Sequence, residues 1–245
     1  MLRQITVILA ILATIVVNWL ANFLPIGGRT TGEVSAEFPV LFTPAGYAFS
    51  IWGLIYLSLI VYALVQAAPS KRDGFDQSLI GPLFVLSCVF NIAWILAWHH
   101  LLIGLSLVFM LGILVCLILI YLRLERLKGS LTGADYWTLR FPFSLYLGWI
   151  TVATVANVTI ALYAAGFRGG PISEPIWAII AIAAALAIGL AVAWTRRDVV
   201  FSLVLVWALL AIAVGQSGQT LVVGAAIAAA SLQVVGIIVA LLTDP

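Results

Sequence analysis

Charged side chains are scarce in this sequence, since Asp, Glu, Lys and Arg make up 8% of the 245 residues and apolar residues make up 64%. A soluble domain carries roughly 25% charged residues because water must wet its surface. A chain with so little charge and a mean hydropathy of +1.23 has no such surface. We therefore expect a lipid bilayer as its environment and no nucleic-acid partner.

Cysteine is almost absent as well. Cys88 and Cys116 both lie inside apolar blocks and are interpreted as small buried hydrophobes, which excludes a disulfide framework. No Asp, Glu, Lys or Arg is expected deep in a membrane span, which argues against a proton-coupled pump, an ion channel or a membrane protease. The sequence also shows no Ser/His/Asp set, metal cluster or phosphate loop. We therefore expect a protein that is not an enzyme and requires no cofactor or metal.

The apolar blocks have the length of helices that cross a bilayer. A span needs about 20 apolar residues as a helix, whereas a barrel strand needs about ten residues of alternating polarity. The expected fold is therefore an all-α polytopic membrane protein with eight spans. We place them at residues 4–24, 46–66, 79–98, 102–121, 139–164, 175–194, 199–215 and 221–242.

The distribution of basic residues predicts the orientation of these spans, because cytoplasmic loops are enriched in Lys and Arg. If the N-terminus is cytoplasmic, nine of the 11 basic residues lie in inner segments and two, Arg29 and Arg168, in outer ones. The nine are Arg3, Lys71, Arg72, Arg123, Arg126, Lys128, Arg140, Arg196 and Arg197. Both termini are thus expected in the cytoplasm, and the pattern suits a bacterial inner membrane.

Residues 25–45 form the longest outer connection, hereafter the first loop. A connection of this length often covers a site, so we interpret it as a lid. His99 and His100 end the third span near the outer interface. Adjacent residues on a helix point about 100° apart and cannot share a ligand face. Both are interpreted as interfacial residues, with contact to a ligand or haem as the alternative.

Polar and aromatic residues form four helical stripes at one membrane depth, the mid-to-outer part beneath the first loop. The stripes are Asn18 and Asn22; Phe49, Trp52 and Tyr56; Asn91, Trp94 and Trp98; and Trp149, Ala153 and Asn157. Aromatic walls, a few amides and a small residue that leaves space are the composition of a ligand pocket. Packing is the alternative, because Asn and Trp also join membrane helices to one another.

Three motifs resemble those of the tryptophan-rich sensory protein family, which includes the mitochondrial translocator protein, once called the peripheral benzodiazepine receptor. Residues 42–56, FTPAGYAFSIWGLIY, are similar to the family's P-P-G-W-x-F-x-x-x-W-x-x-x-Y signature. Asn91 and Trp94 match its N-x-x-W motif. The fifth span carries its Y-x-x-W-x-x-x-A-x-x-x-N motif as Tyr146, Trp149, Ala153 and Asn157.

This resemblance covers about residues 1–168 and implies a five-helix core that binds porphyrin, haem or similar apolar ligands beneath the first loop. The family's pocket residues correspond to Pro44, Gly46, Phe49, Trp52, Asn91, Trp94, Trp149, Ala153 and Asn157. The stripes add Tyr56 and Trp98. The signature departs from the family's at Ala45 and Tyr47, and the spacing from Phe49 to Trp52 is one residue shorter. That difference predicts a rotation of Trp52 by about 100° relative to Gly46.

Residues 172–245 resemble the three helices that longer bacterial members append to this core. We therefore predict two domains, residues 1–168 and 172–245. Gly189, Gly224, Ala228 and Gly236 allow close helix approach and favour a packing or homodimerisation surface. Gln233 lies in the middle of the last span, where it would bond to a neighbouring helix or line a second cavity.

The leading functional hypothesis is an integral membrane protein that binds tetrapyrroles or other small apolar ligands as a sensor, carrier or regulator. A transporter of lipid-like or amphipathic metabolites is the second hypothesis. A porphyrin-degrading enzyme, an activity that the family resemblance suggests, is the third hypothesis. It ranks last because the sequence offers tryptophans but no evident acid–base pair. A purely structural or assembly role also remains open.

Overall fold

A computed structural model of the chain describes residues 2–24, 26–68 and 75–243, apart from the side chains at 75–79 and 130. In these residues the regular structure is helical. The helices are α1 (Leu2–Phe23), α2 (Thr31–Ala36), α3 (Ile51–Ala67), α4 (Phe75–His99), α5 (Ile103–Arg126), α6 (Phe141–Ala164), α7 (Glu174–Arg196), α8 (Val199–Gly215) and α9 (Thr220–Leu242). A 3-10 segment, Gly46–Ser50, leads into α3, and a π-helical segment, Tyr136–Arg140, leads into α6.

The predicted all-α polytopic fold is confirmed. In the described part of the chain, seven helical segments are long and apolar enough to cross a membrane. The remaining predicted span, residues 199–215, is α8, a shorter apolar helix of 17 residues. The predicted bounds agree to within a few residues, except that α5 continues to Arg126. A short turn joins α4 to α5, with Leu101 in a left-handed conformation at φ 56°.

The most buried span is α6, and it joins two groups of helices. On one side, α1 contacts α3 and α4, α4 contacts α5, and α5 contacts α6. On the other side, α7, α8 and α9 pack against one another, and α8 provides most of their contact with α6. Helices α1 and α3–α6 form the predicted five-helix core and α7–α9 the extension. The division into two domains stays a prediction.

The first loop is folded at the same end of the bundle as the α4–α5 turn. Thr30 caps α2 by accepting from the Glu33 backbone N–H, and the Glu33 carboxylate accepts from the Thr30 N–H in return. Arg29 and Glu37 form an ion pair at 2.5 Å across this short helix. The two capping bonds satisfy amides that a helix start leaves open, so this part of the predicted lid is an ordered cover.

His99 fixes the first loop to the bundle, and its depth near the membrane interface stays a prediction. The side chain is buried, its Nδ1 donates to the Ile26 carbonyl oxygen at 2.9 Å, and its Nε2 lies 3.1 Å from the Thr31 hydroxyl. A carbonyl can only accept, so the Nδ1 of the neutral ring carries the proton and Nε2 accepts a hydrogen bond from the Thr31 hydroxyl. Both ring nitrogens are therefore engaged within the protein. His100 is exposed, as expected.

A buried cluster of charges that the sequence analysis missed lies at the opposite end of the bundle. Arg140, only 4% exposed, pairs with Glu125 at the end of α5 and with Asp198 in the α7–α8 turn, the latter at 3.2 Å. Ser144 donates to the same Asp198 oxygen at 2.6 Å. These contacts attach the extension to the core at the end of the bundle opposite the first loop.

Two of the four small residues predicted to form a packing surface in the extension, Gly189 and Gly236, serve its internal packing. Gly189 faces Gln233 and Leu205, so a Cβ there would lie 2.5 Å from the Gln233 Oε1, and Gly236 faces Leu190. Gln233 is fully buried, yet neither amide atom has a hydrogen-bond partner among the described residues, so the expected bond to a neighbouring helix is absent. Gly224 has open space around it.

The predicted orientation stays a prediction. Lys71 and Arg72, which contribute to it, lie outside the described residues, as does residue 25 of the first loop.

Candidate ligand-binding cavity

Four aromatic rings from α3 and α4 stand in a nearly parallel row. Trp52 stacks on Tyr56 with ring centroids 5.3 Å apart and on Trp94 at 6.2 Å, and Trp94 stacks on Trp98 at 5.9 Å. The interplanar angles are 23°, 29° and 26°. Helical spacing explains the row, because residues three, four or seven apart lie on one face of a helix.

A cavity of about 40 Å³ lies beside this row, between α3, α4, α5 and α6 and beneath the first loop. Eight of the eleven predicted site residues line it: Pro44, Phe49, Trp52, Trp94, Trp98, Trp149, Ala153 and Asn157. Trp149 of α6 closes one side with edge-to-face contacts to Phe49 at 5.9 Å and to Trp52 at 6.5 Å. The structure thus brings the stripes of α3, α4 and α6 together, as the sequence analysis expected.

The other three predicted residues lie outside the lining. Gly46 is exposed in the 3-10 segment, and Tyr56 stands at the far end of the ring row. Asn91 is fully buried between helices, where its Oδ1 accepts from Asn18 Nδ2 at 2.8 Å and its Nδ2 donates to the Tyr146 hydroxyl at 3.0 Å. Its amide therefore joins α1, α4 and α6.

Five lining residues were missed: Ser35, Met110, Val152, Ala156 and Ile160. Continuing the α6 stripe from Ala153 by three and seven positions would have found Ala156 and Ile160. Ser35 belongs to α2, so only the folded first loop brings it there. Met110 lies on an almost uniformly apolar helix and carries no signal in the sequence.

The polar groups at the cavity differ in how well they are satisfied. Trp94 Nε1 donates to Asn157 Oδ1 at 3.2 Å, and Asn157 Nδ2 donates to the Ser106 hydroxyl at 3.2 Å. Trp98 Nε1 donates to the Thr31 carbonyl oxygen at 3.2 Å. Trp149 Nε1 is buried without a hydrogen-bond partner among the described residues. A buried indole N–H normally finds an acceptor, so Trp149 can donate to a ligand.

Trp52 reaches the cavity although its spacing from Phe49 is one residue shorter than in the family signature. Residues of a 3-10 helix advance by about 120° each, compared with about 100° in an α-helix. The five residues of Gly46–Ser50 are in the 3-10 conformation. They therefore turn the chain about 100° further than five α-helical residues would, which equals the rotation of one residue in an α-helix. Trp52 lines the cavity and Gly46 does not, and the rotation of Trp52 relative to the family stays a prediction.

The extension holds the segment that leads from the first loop into α3, residues 43–48, hereafter the junction. The Ala45 N–H donates to the Ala211 carbonyl oxygen at 2.9 Å, and Gln216 Nε2 donates to the Thr43 carbonyl oxygen at 2.9 Å. Trp207 Nε1 donates to the Ala48 carbonyl oxygen at 3.3 Å. Because Pro44 lines the cavity, α8 and the residue that follows it fix one wall from outside.

The fold and the site define a polytopic α-helical membrane protein with a tryptophan-lined cavity under a folded loop. The chain belongs to the TSPO-like protein family, whose model matches residues 4–239. This finding confirms the family resemblance, and the match includes most of the extension.

One curated relative is the aminotriazole resistance protein of Saccharomyces cerevisiae (strain ATCC 204508 / S288c), 27% identical over 220 residues. The alignment covers 82% of this chain and 39% of the relative, so the chain spans about two fifths of that relative's length. No solved structure matches the chain.

Proposed function

We propose that this protein binds a flat apolar ligand of the tetrapyrrole class, a porphyrin or haem, in the tryptophan-lined cavity and acts as a sensor, carrier or regulator. The observation that carries the proposal is the convergence of four tryptophans around one buried indole N–H without a partner. Aromatic faces favour a planar conjugated ligand. The Trp149 N–H supplies a donor for a carboxylate or another polar substituent.

The cavity must open before such a ligand can enter. Pockets for small organic ligands occupy roughly 300–1,000 Å³, whereas this cavity measures about 40 Å³. Its wall beneath the first loop includes Ser35 of α2 and Pro44 of the junction, which belong to a short helix and to a loop. Movement of this wall gives access while the spans stay packed.

Titration of the purified protein with protoporphyrin IX tests the proposal, with the ligand's absorbance shift as readout. We expect saturable binding that weakens about tenfold in Trp149→Phe, which keeps an aromatic ring and removes the N–H. Trp52→Ala should weaken binding by a similar factor, because it removes the ring at the centre of the row.

Trp194→Phe is the matched control, since Trp194 is 60% exposed and lies on α7. Its affinity should equal that of the unchanged protein. Equal affinity in Trp149→Phe and Trp52→Ala would overturn the assignment of the site.

Transport of a small amphipathic molecule is the second candidate function. The yeast relative is named for resistance to aminotriazole, a small heterocyclic compound, and the folded first loop over a closed cavity suits alternating access. Uptake of labelled porphyrin or aminotriazole into proteoliposomes would distinguish transport from binding alone, because a sensor binds its ligand without accumulating it in the lumen.

We propose binding without turnover, since Trp, Phe and Asn side chains offer no general acid or base. Porphyrin breakdown abolished in Trp52→Phe would indicate catalysis instead.

We also propose a bacterial inner membrane with both termini in the cytoplasm, from the distribution of Lys and Arg. The open surface at Gly224 and the exposed Ala228 favour a homodimer through α9.

A further inference from the structure

A second and larger cavity lies where the extension meets the first loop. It measures about 210 Å³ and is lined by residues 39–42 of the first loop, the last turns of α6 and the first turns of α7. None of its lining residues lines the tryptophan cavity. The extension provides one of its walls, so this cavity is a joint product of the two helix groups.

The walls are apolar and open towards lipid. Phe42 and Ala178 form buried parts of the lining, whereas Leu162 is 42% exposed and Ile180 is 43% exposed. Large exposed apolar side chains on spanning helices face hydrocarbon. An occupant can therefore enter sideways from the bilayer, and its buried part must be apolar.

One end of this cavity carries two charges of opposite sign. Arg168 and Glu174 both line it, in the α6–α7 turn and the first turn of α7. The Arg168 guanidinium lies 3.6 Å from the Tyr163 ring centroid, and its Nη1 donates to the carbonyl oxygens of Tyr163 and Phe167. Both bonds leave from Nη1, so Nε and Nη2 retain donors for an anion.

The α6–α7 turn, which carries Arg168, is held by a glycine with positive φ and by contacts with Trp177. Gly169 has φ 87°, and its carbonyl oxygen accepts from Trp177 Nε1 at 3.0 Å. Phe167 packs edge-to-face on the same indole with ring centroids 5.5 Å apart. Aromatic side chains of this kind mark the headgroup level of a membrane. The charged end of the cavity therefore lies at the depth of lipid headgroups.

We propose that this cavity binds a zwitterionic phospholipid with a primary ammonium group. Its acyl chain occupies the apolar cavity, Arg168 binds the phosphate, and Glu174 accepts from the ammonium. The opposite charges of the rim select this headgroup over an anionic lipid that has no amine, because Glu174 would then face only negative charge. The bound lipid joins the first loop to α6 and α7.

Native mass spectrometry of the purified full-length chain tests this inference. The protein is titrated separately with dioleoyl phosphatidylethanolamine and dioleoyl phosphatidylglycerol. We expect stronger retention of phosphatidylethanolamine and a loss of about tenfold in Arg168→Ala, which removes a charge-assisted hydrogen bond. Glu174→Gln should reduce the preference between the two lipids.

Filling the cavity gives a second, steric test. Ala184 lines it and Ala183, its exposed neighbour on α7, does not. Ala184→Phe should abolish retention of phosphatidylethanolamine, and Ala183→Phe should leave it unchanged. Protoporphyrin titration of both variants should show unchanged affinity, which separates this cavity from the proposed tetrapyrrole site.

Equal retention of the two lipids by the unchanged protein would overturn the headgroup assignment. Retention of phosphatidylethanolamine by Ala184→Phe at the level of Ala183→Phe would overturn the location. Retention unaffected by both Arg168→Ala and Glu174→Gln would reduce the cavity to a site of nonspecific lipid contact and overturn the proposal.

Discussion

The backbone N–H of Ala45 donates to the carbonyl oxygen of Ala211 at 2.9 Å, across 166 positions of sequence. This bond joins the loop over the tryptophan cavity to a helix of the extension. The approach is close because Gly215 has no side chain, and a Cβ there would lie 2.7 Å from the Ala45 nitrogen. The extension therefore acts directly on a wall of the candidate site.

Gly215→Ala should displace the junction from α8. The added methyl group meets backbone atoms that cannot move aside, so we expect a loss of about 1–3 kcal/mol in the free energy of unfolding. Release of Pro44 should also speed the association of protoporphyrin. Thermal unfolding and stopped-flow absorbance measure the two effects.

Gly218→Ala is the control for this substitution. No atom lies within 4 Å of a Cβ at Gly218, which is in the turn after α8. Stability and association rate should stay as they are. Identical behaviour of the Gly215 and Gly218 variants would show that contact with α8 does not govern the junction.

Asn91→Ala should lower stability and leave porphyrin affinity unchanged, because the Asn91 amide joins helices outside the cavity lining. Loss of its bonds to Asn18 and Tyr146 should cost about 1–2 kcal/mol. Tyr146→Phe, which removes one of these bonds, should cost less. Unfolding and porphyrin titration of both variants check this expectation; weaker ligand binding by Asn91→Ala at unchanged stability would restore Asn91 to the site.

Arg140→Met should be among the most destabilising single changes. It leaves the buried Glu125 and Asp198 carboxylates without their cation, at a cost of about 3–5 kcal/mol. Arg196→Met is a matched control, because Arg196 pairs with the same Glu125 at 3.7 Å but is 43% exposed. Its loss should cost less than about 1 kcal/mol. Comparable unfolding temperatures of the two variants would contradict this explanation.

Acid should loosen the first loop through Glu33. Its hydrogen bonds to the Thr30 backbone and side chain lower the pKa of the Glu33 carboxyl below its ordinary value. A lowered folded-state pKa means that the contribution to stability is present above the unfolded pKa and lost as pH falls through the folded one. Protection factors of the α2 amides, which correct the exchange rates for the intrinsic pH dependence of amide exchange, should therefore fall in that acidic range.

Glu33→Gln tests the assignment to this carboxyl, since glutamine keeps the acceptor oxygen and does not titrate in acid. The protection factors of the α2 amides should then lose most of their dependence on pH. An unchanged pH profile in this variant would assign the effect to another group.

The eight helices and three of the four stripes could be predicted because they depend on local rules. Hydrocarbon thickness sets the length of a span, and the helical period places Trp94 and Trp98 on one face. The same reasoning did not predict that the Asn91 amide joins helices outside the cavity lining, because a buried amide in a stripe serves helix packing as readily as a ligand. It did not predict the contacts of His99 either, because Ile26 and Thr31 reach it only when the first loop folds over the end of α4.

The sequence by itself determined the class of protein, the spans and the face of α6 that carries Trp149 and Asn157. These features follow from composition and from spacing within single helices. Only the tertiary structure decided that the tryptophan cavity is closed, that α8 holds the junction, that Arg140 neutralises two distant carboxylates, and that Arg168 and Glu174 share the rim of a second cavity. Such relationships join residues far apart in the chain, and they depend on how whole helices pack, which no local pattern encodes.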